Sequence, residues 1–124
     1  MAERSGVQVE FDLEERTALF GEAVIRFAKT IPLNKVTESL ISQLVRAGTS
    51  VGANYIEADD ADSRKDFRYR IGVARREARE TMHWLRMVVA GEEQLKTEAR
   101  ILWQEAKELN LIFGKIRRSV ERKS

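Results

Sequence analysis

The chain has 124 residues, enough for one domain around one core. Charged residues make up 34% and hydrophobic residues 43%, which argues against a disordered polar chain, and the absence of cysteine excludes disulfide and thiol chemistry. The net charge is only +2, so any argument from charge must rest on its distribution rather than its total.

Residues 1–10 read as a flexible N-terminal tail, and residues 11–124 as a single domain. Asp12, with Glu15 three positions on, forms a capping-box pattern that predicts the first helix. Leu13, Phe20, Val24, Phe27 and Ile31 make its apolar stripe, and Pro32 ends it. Asn34 or Thr37 opens the second helix, whose stripe is Leu40, Leu44, Ala47, Val51 and Tyr55. That helix is rich in small residues: Ala47, Gly48, Ser50, Gly52 and Ala53. Glycine inside a helix costs about 1 kcal/mol relative to alanine, a cost accepted when another backbone must come close. A break near Gly48 or Gly52 is the alternative.

The acidic stretch 58–62 connects to a third helix capped by Ser63, with Asp66 in the box position. Its seam is Phe67, Ile71, Ala74, Ala78, Thr81, Leu85 and Val88, in steps of four and three. It is expected to run to Ala90, with Gly91 as a left-handed terminator. The fourth helix begins near Glu92 or Thr97 and carries Leu95, Ala99, Leu102, Ala106, Leu109, Phe113, Ile116 and Val120. Four amphipathic helices with short connections predict an all-α, antiparallel up-down-up-down four-helix bundle. No apolar run approaches the length of a membrane span, and Met1-Ala2-Glu3-Arg4 lacks the apolar core of a secretion signal, so the expectation is a cytoplasmic protein.

The charges alternate in blocks. Residues 1–62 carry 6 Lys/Arg and 11 Asp/Glu, residues 63–90 carry 8 and 3, residues 91–114 carry 3 and 5, and residues 115–124 carry 5 and 1. Two basic zones between acidic ones suit a phosphate-bearing partner or the self-assembly of opposite faces.

Most catalytic and metal chemistries lack their residues. Glu80-x-x-His83 has the spacing of a bundle di-iron ligand pair, but such a site needs a second copy and His83 is the only histidine. Asp59, Asp60 and Asp62 fail the calcium-loop pattern, which demands glycine at the sixth and glutamate at the twelfth position. No phosphate-cradling glycine loop occurs. No enzyme, metal or cofactor is expected. An active site would require assembly to close a polar pocket around Glu57, Glu77 and Glu80.

The sharper constellation is basic. Lys65, Arg68, Arg75, Arg79 and Arg86 recur along one side of the third helix, and Arg64 and Arg76 widen the strip. Arginine suits phosphate because its planar fork donates two parallel hydrogen bonds. The competing reading is a solvated face balanced by Glu77, Glu80 and acids from neighbouring helices. Arg117, Arg118, Arg122 and Lys123 form a second basic cluster at the C-terminal end. Tyr69 is the nearest aromatic stacking candidate, with bundle packing the favoured role. Asn54 and Glu57 are expected to be at least half buried as a polar clamp fixing helix register, with Arg75 or Arg79 as the partner of Glu57.

The segment Gln43-Leu44-Val45-Arg46-Ala47-Gly48-Thr49-Ser50-Val51-Gly52-Ala53-Asn54-Tyr55-Ile56-Glu57-Ala58 resembles the signature of the 23S rRNA intervening-sequence (S23) proteins. Ser63-Arg64-Lys65-Asp66-Phe67, the run from Ala74 to Leu85, and Glu105 to Phe113 continue the likeness. The resemblance implies an antiparallel four-helix bundle assembled as a ring-shaped homopentamer. Two functions are expected. One is a non-enzymatic adaptor contacting RNA or DNA through the basic strip. The other is a protein-interaction scaffold whose basic face mediates self-assembly.

Overall fold

The computed structural model describes the backbone of residues 6–123 and the side chains of residues 13–121. Four helices follow in order: α1 (Gly6–Ala28), α2 (Thr37–Asp59), α3 (Arg64–Gly91) and α4 (Lys96–Lys123), with one short 3₁₀ turn at Glu93–Leu95. Among the described residues there is no strand.

The apolar stripes meet as their spacing predicts along most of their length, while Leu40, Phe67, Ile116 and Val120, near helix ends, are only half-buried. Leu13, Phe20, Val24, Phe27, Leu44, Val51, Tyr55, Ile71, Ala74, Ala78, Leu85, Val88, Leu95, Ala99, Leu102, Ala106, Leu109 and Phe113 are buried in one continuous core. Each helix packs on its sequence neighbour, and α1 closes the ring against α4 with the thinnest contact. Across each neighbouring pair, numbers rise in one helix as they fall in the next. Thr17 lies against Gly52 and Val24 against Gly48. Arg70 bonds Asn54 while Glu80 bonds Arg46, and Gly72 meets Arg117 while Arg75 meets Gly114. These three neighbouring pairs therefore run antiparallel.

The small residues of α2 serve close approach, not a break, and α2 is continuous. A Cβ at Gly48 would stand 2.8 Å from Val24 Cγ1, and one at Gly52 would stand 3.2 Å from Thr17 Oγ1. The helix starts also follow local chemistry. Asn34 Oδ1 accepts from the backbone N–H groups of Val36 and Thr37, and its carbonyl accepts from Glu38 N–H. Ser63 Oγ accepts from Asp66 N–H at 3.0 Å.

Three expectations about ends need correction. The first helix begins at Gly6, so Asp12 lies inside it rather than capping it. The expected tail over 1–10 falls partly on residues 1–5, outside the described residues. Gly91 is the last helical residue of α3 and no glycine among the described residues has positive φ, so it is no left-handed terminator. The chain leaves α3 through Glu92, whose N–H still bonds the Val88 carbonyl.

Candidate nucleic-acid interface

Helix α3 carries charge of both signs, and its neighbours sort that charge. Arg46 on α2 donates from Nη1 to Glu77 Oε1 at 3.2 Å and from Nη2 to Glu80 Oε2 at 2.7 Å. Trp84 Nε1 also donates to Glu80. Burial would push the Glu80 carboxyl up, but the hydrogen bonds from Trp84 and Arg46 outweigh it and hold that carboxyl below its ordinary range. The hydrogen bond to Glu80 likewise raises the Arg46 guanidinium. The two acids expected to balance the basic strip are therefore engaged on the α2 side of α3.

Two acids of α4, Glu105 and Glu108, are drawn the other way. Arg16 on α1 forks onto Glu105 at 2.7 and 2.9 Å and reaches Glu108 at 2.9 Å. The Glu105 bond raises the Arg16 guanidinium above its ordinary value. What remains along the α3–α4 seam is basic. On α3, Arg68, Arg75, Arg79 and Arg86 sit one position after the seam residues Phe67, which is half-buried, and Ala74, Ala78 and Leu85, which are buried. On α4, Lys96, Arg100, Trp103, Lys107, Asn110 and Gly114 sit one position after Leu95, Ala99, Leu102, Ala106, Leu109 and Phe113. The same offset on two antiparallel neighbours turns both stripes toward each other.

Two glycines set the geometry of this seam. A Cβ at Gly72 would lie 3.0 Å from Arg117 Nε and 3.5 Å from its Cδ, so the bare backbone there makes room for the Arg117 side chain. A Cβ at Gly114 would lie 3.4 Å from Arg118 Nη1 and 3.6 Å from Arg75 Cδ. Arg75, Arg117 and Arg118 thus line one cleft of about 170 Å³ with Asn110, Leu111 and Gly114, and no carboxylate shares it. Asn110 Nδ2 donates to the Arg75 carbonyl at 3.0 Å, pinning α4 to α3 at that level. The Nε atoms of Arg117 and Arg68 are buried without an acceptor among the described residues. Arg68 does pair through Nη2 with Glu121 at 2.7 Å, the one ion pair across this seam among the described residues.

Other strip members stand as follows. Arg64, Lys65, Arg76, Arg79, Arg86 and Arg118 are exposed. Among the described residues, Lys65, Arg75, Arg76, Arg79, Arg86, Arg117 and Arg118 form no ion pair. The side chains of Arg122 and Lys123 lie outside the described residues.

The polar clamp differs from expectation. Asn54 is half-buried, donates from Nδ2 to the Ser50 carbonyl and accepts from Arg70 Nη1 at 3.3 Å. Arg70 thus partners Asn54, and neither Arg75 nor Arg79 forms the expected ion pair with Glu57. Glu57 is exposed and takes no part. A step of three residues turns back about 60° around a helix, which carries Glu57 away from the core that Asn54 borders. Tyr69 is 58% exposed with Arg70 over its ring at 5.5 Å, so it does not pack the bundle. His83 is exposed and meets the Trp84 ring edge-on.

Lys96, Arg100, Trp103, Lys107 and Asn110 were missed in the sequence because the 91–114 block is net acidic. Their signal was available in the shared one-residue offset from the α4 seam.

The family model for the 23S rRNA-intervening sequence protein matches residues 10–115. The chain belongs to that family. A crystal structure of an S23 ribosomal protein family member of unknown function from Bacteroides thetaiotaomicron superposes with a TM-score of 0.74. It shares 28% identity, over 84% of this chain and 96% of that one. Among curated proteins nothing matches. The S23 fold is thus shared. No helix among the described residues is long and apolar enough to cross a membrane. None of them forms a group of three or more His, Cys, Asp or Glu able to hold a metal ion.

Proposed function

We propose that this protein is a non-enzymatic, oligomeric adaptor that docks a nucleic-acid backbone, RNA foremost, on its α3–α4 face. One observation carries the reading: Arg75, Arg117 and Arg118 converge on a carboxylate-free cleft while Glu77 and Glu80 are held by Arg46. Guanidinium forks without internal acceptors suit phosphate oxygens. The exposed Lys65, Arg76, Arg79 and Arg86 extend the same charge along α3. In a homopentamer, the assembly the family resemblance suggests, five modest patches would act together and avidity would offset the small charge of each. A cytoplasmic setting goes with this reading.

The test is binding of labelled structured RNA and duplex DNA across a salt series. Affinity is expected to fall linearly in log–log form, by a slope of about 0.9 per phosphate neutralised on duplex. Absence of affinity at low salt would sink the proposal.

The scaffold reading, in which the basic face mediates self-assembly, is separated by Arg75→Glu. An intact oligomer that has lost nucleic acid supports docking; dissociated subunits support the scaffold. Apolar exposure favours assembly through a different side. Leu19 is 49% and Ile101 68% exposed beside a groove of about 510 Å³ between α1 and α4, which Arg16 lines but Arg75, Arg117 and Arg118 do not. Mass measured in solution checks the pentamer.

A further inference from the structure

The α3–α4 seam has a second cleft, of about 290 Å³, at the end opposite the C-terminus. Leu85, Val89 and Ala99 make it apolar, Trp103 supplies an aromatic wall, and Arg86, Lys96 and Arg100 complete the lining. No acid lines it. The three cations are exposed and form no ion pair among the described residues. Trp103 is half-buried and packs against the core, with Lys107 Nζ 5.5 Å from its ring centroid. Its indole N–H has no partner among the described residues. Eleven residues separate this level from the arginine cleft on each helix (Arg75 to Arg86, Trp103 to Gly114), or on the order of 16 Å along the seam.

We propose that this cleft receives one unpaired nucleobase of a single-stranded or looped nucleic acid. The base would pack against Trp103, with its flanking phosphates on Arg86, Lys96 and Arg100. The proposal deepens the docking function above and rests on it. The chemistry of the cleft selects the occupant. A purely apolar ligand would leave three cations without a counter-charge. A bare polyanion would gain nothing from Leu85, Val89 and the indole. A nucleotide joins a flat, largely apolar ring to a phosphate and uses both. A base held in a duplex stack cannot reach the wall, so the cleft favours unpaired over paired strands.

The experiment uses the full chain at low salt with four probes: a labelled single-stranded RNA, a strand of equal length with abasic sugars, inorganic polyphosphate and polyglutamate. The base-bearing strand is expected to bind about tenfold more tightly than the abasic one, the effect of one base on one aromatic ring. Trp103→Leu should remove that difference and leave polyphosphate affinity unchanged. In a Trp84→Phe background, indole emission from Trp103 should be quenched by the base-bearing strand and not by the abasic one, a readout that does not depend on the Leu variant folding. Equal affinity for the two strands, with polyphosphate still bound, overturns the base site and leaves backbone docking standing. Polyglutamate displacing RNA assigns the cleft to an acidic peptide and overturns it too. If no polyanion binds, both readings fall together.

Discussion

Gly72→Ala separates stability from docking at a single atom. Gly72 is buried mid-helix, where replacement by alanine is worth about 1 kcal/mol of helix propensity. The added Cβ would meet Arg117 Nε at 3.0 Å, and the next atoms, Cδ and Cζ, at 3.5 and 3.6 Å. The obstacle is the outer part of a flexible, half-exposed side chain, and its Nε makes no hydrogen bond that displacement would break. The guanidinium should swing out at little cost. The net expectation is a gain of about 1 kcal/mol, a rise of about 4 °C in melting temperature by calorimetry or circular dichroism. The same swing removes Arg117 from the cleft it shares with Arg75 and Arg118, so affinity for RNA should drop and the salt slope shrink by about 0.7–0.9. A more stable protein that binds less well is the predicted signature. A lower melting temperature would mean that Arg117 is locked against α3, and a raised one with unchanged RNA binding would remove Arg117 from the interface.

Gly48→Ala should behave oppositely, because its Cβ would fall 2.8 and 2.9 Å from the two methyls of Val24, a fully buried β-branched side chain with no room to move. Overpacking of about 1–3 kcal/mol outweighs the propensity gain, giving a net loss of about 1 kcal/mol in denaturant unfolding that Val24→Ala partly restores. Asn34→Ala removes the acceptor for two N–H groups at the start of α2 and should cost about 1 kcal/mol in the same assay. The Glu80 carboxyl is held below its ordinary value of 4.5, so its stabilising effect is complete above that pH and lost as pH falls through the lower folded value. Glu80→Gln should therefore cost about 0.5 kcal/mol at pH 7 and flatten the loss of stability below about pH 4.5; a parallel acid limb in both proteins would exclude Glu80 from acid sensitivity.

The bundle was legible because each amphipathic helix carries its own instructions. Steps of four and three along residues 67–88 and 95–113 mark the faces that must leave water, whatever the neighbour is. The caps at Asn34 and Ser63 are equally local, and the glycines of α2 announced a close approach without naming Val24 and Thr17 as what approaches. Helix ends were less legible where tertiary contact overrides the signal. Gly91 continues α3 as its last residue, and α1 begins ahead of the Asp12 box.

Charge was another matter. The arginines of α3 could be found in the sequence, but whether Glu77 and Glu80 balance them depends on the rotation of α2, which supplies Arg46 to take both. Glu57 looked like a clamp beside Asn54 until the turn of the helix carried it into solvent. Lys96, Arg100 and Trp103 disappeared into an acidic average until packing sorted α4 into a side that pairs with Arg16 and a side that faces α3. By itself the sequence determined which residues leave water, since that is a property of one helix and its period. Only the tertiary structure decided which charges are neutralised, since an ion pair across helices exists only where two separate faces are turned together.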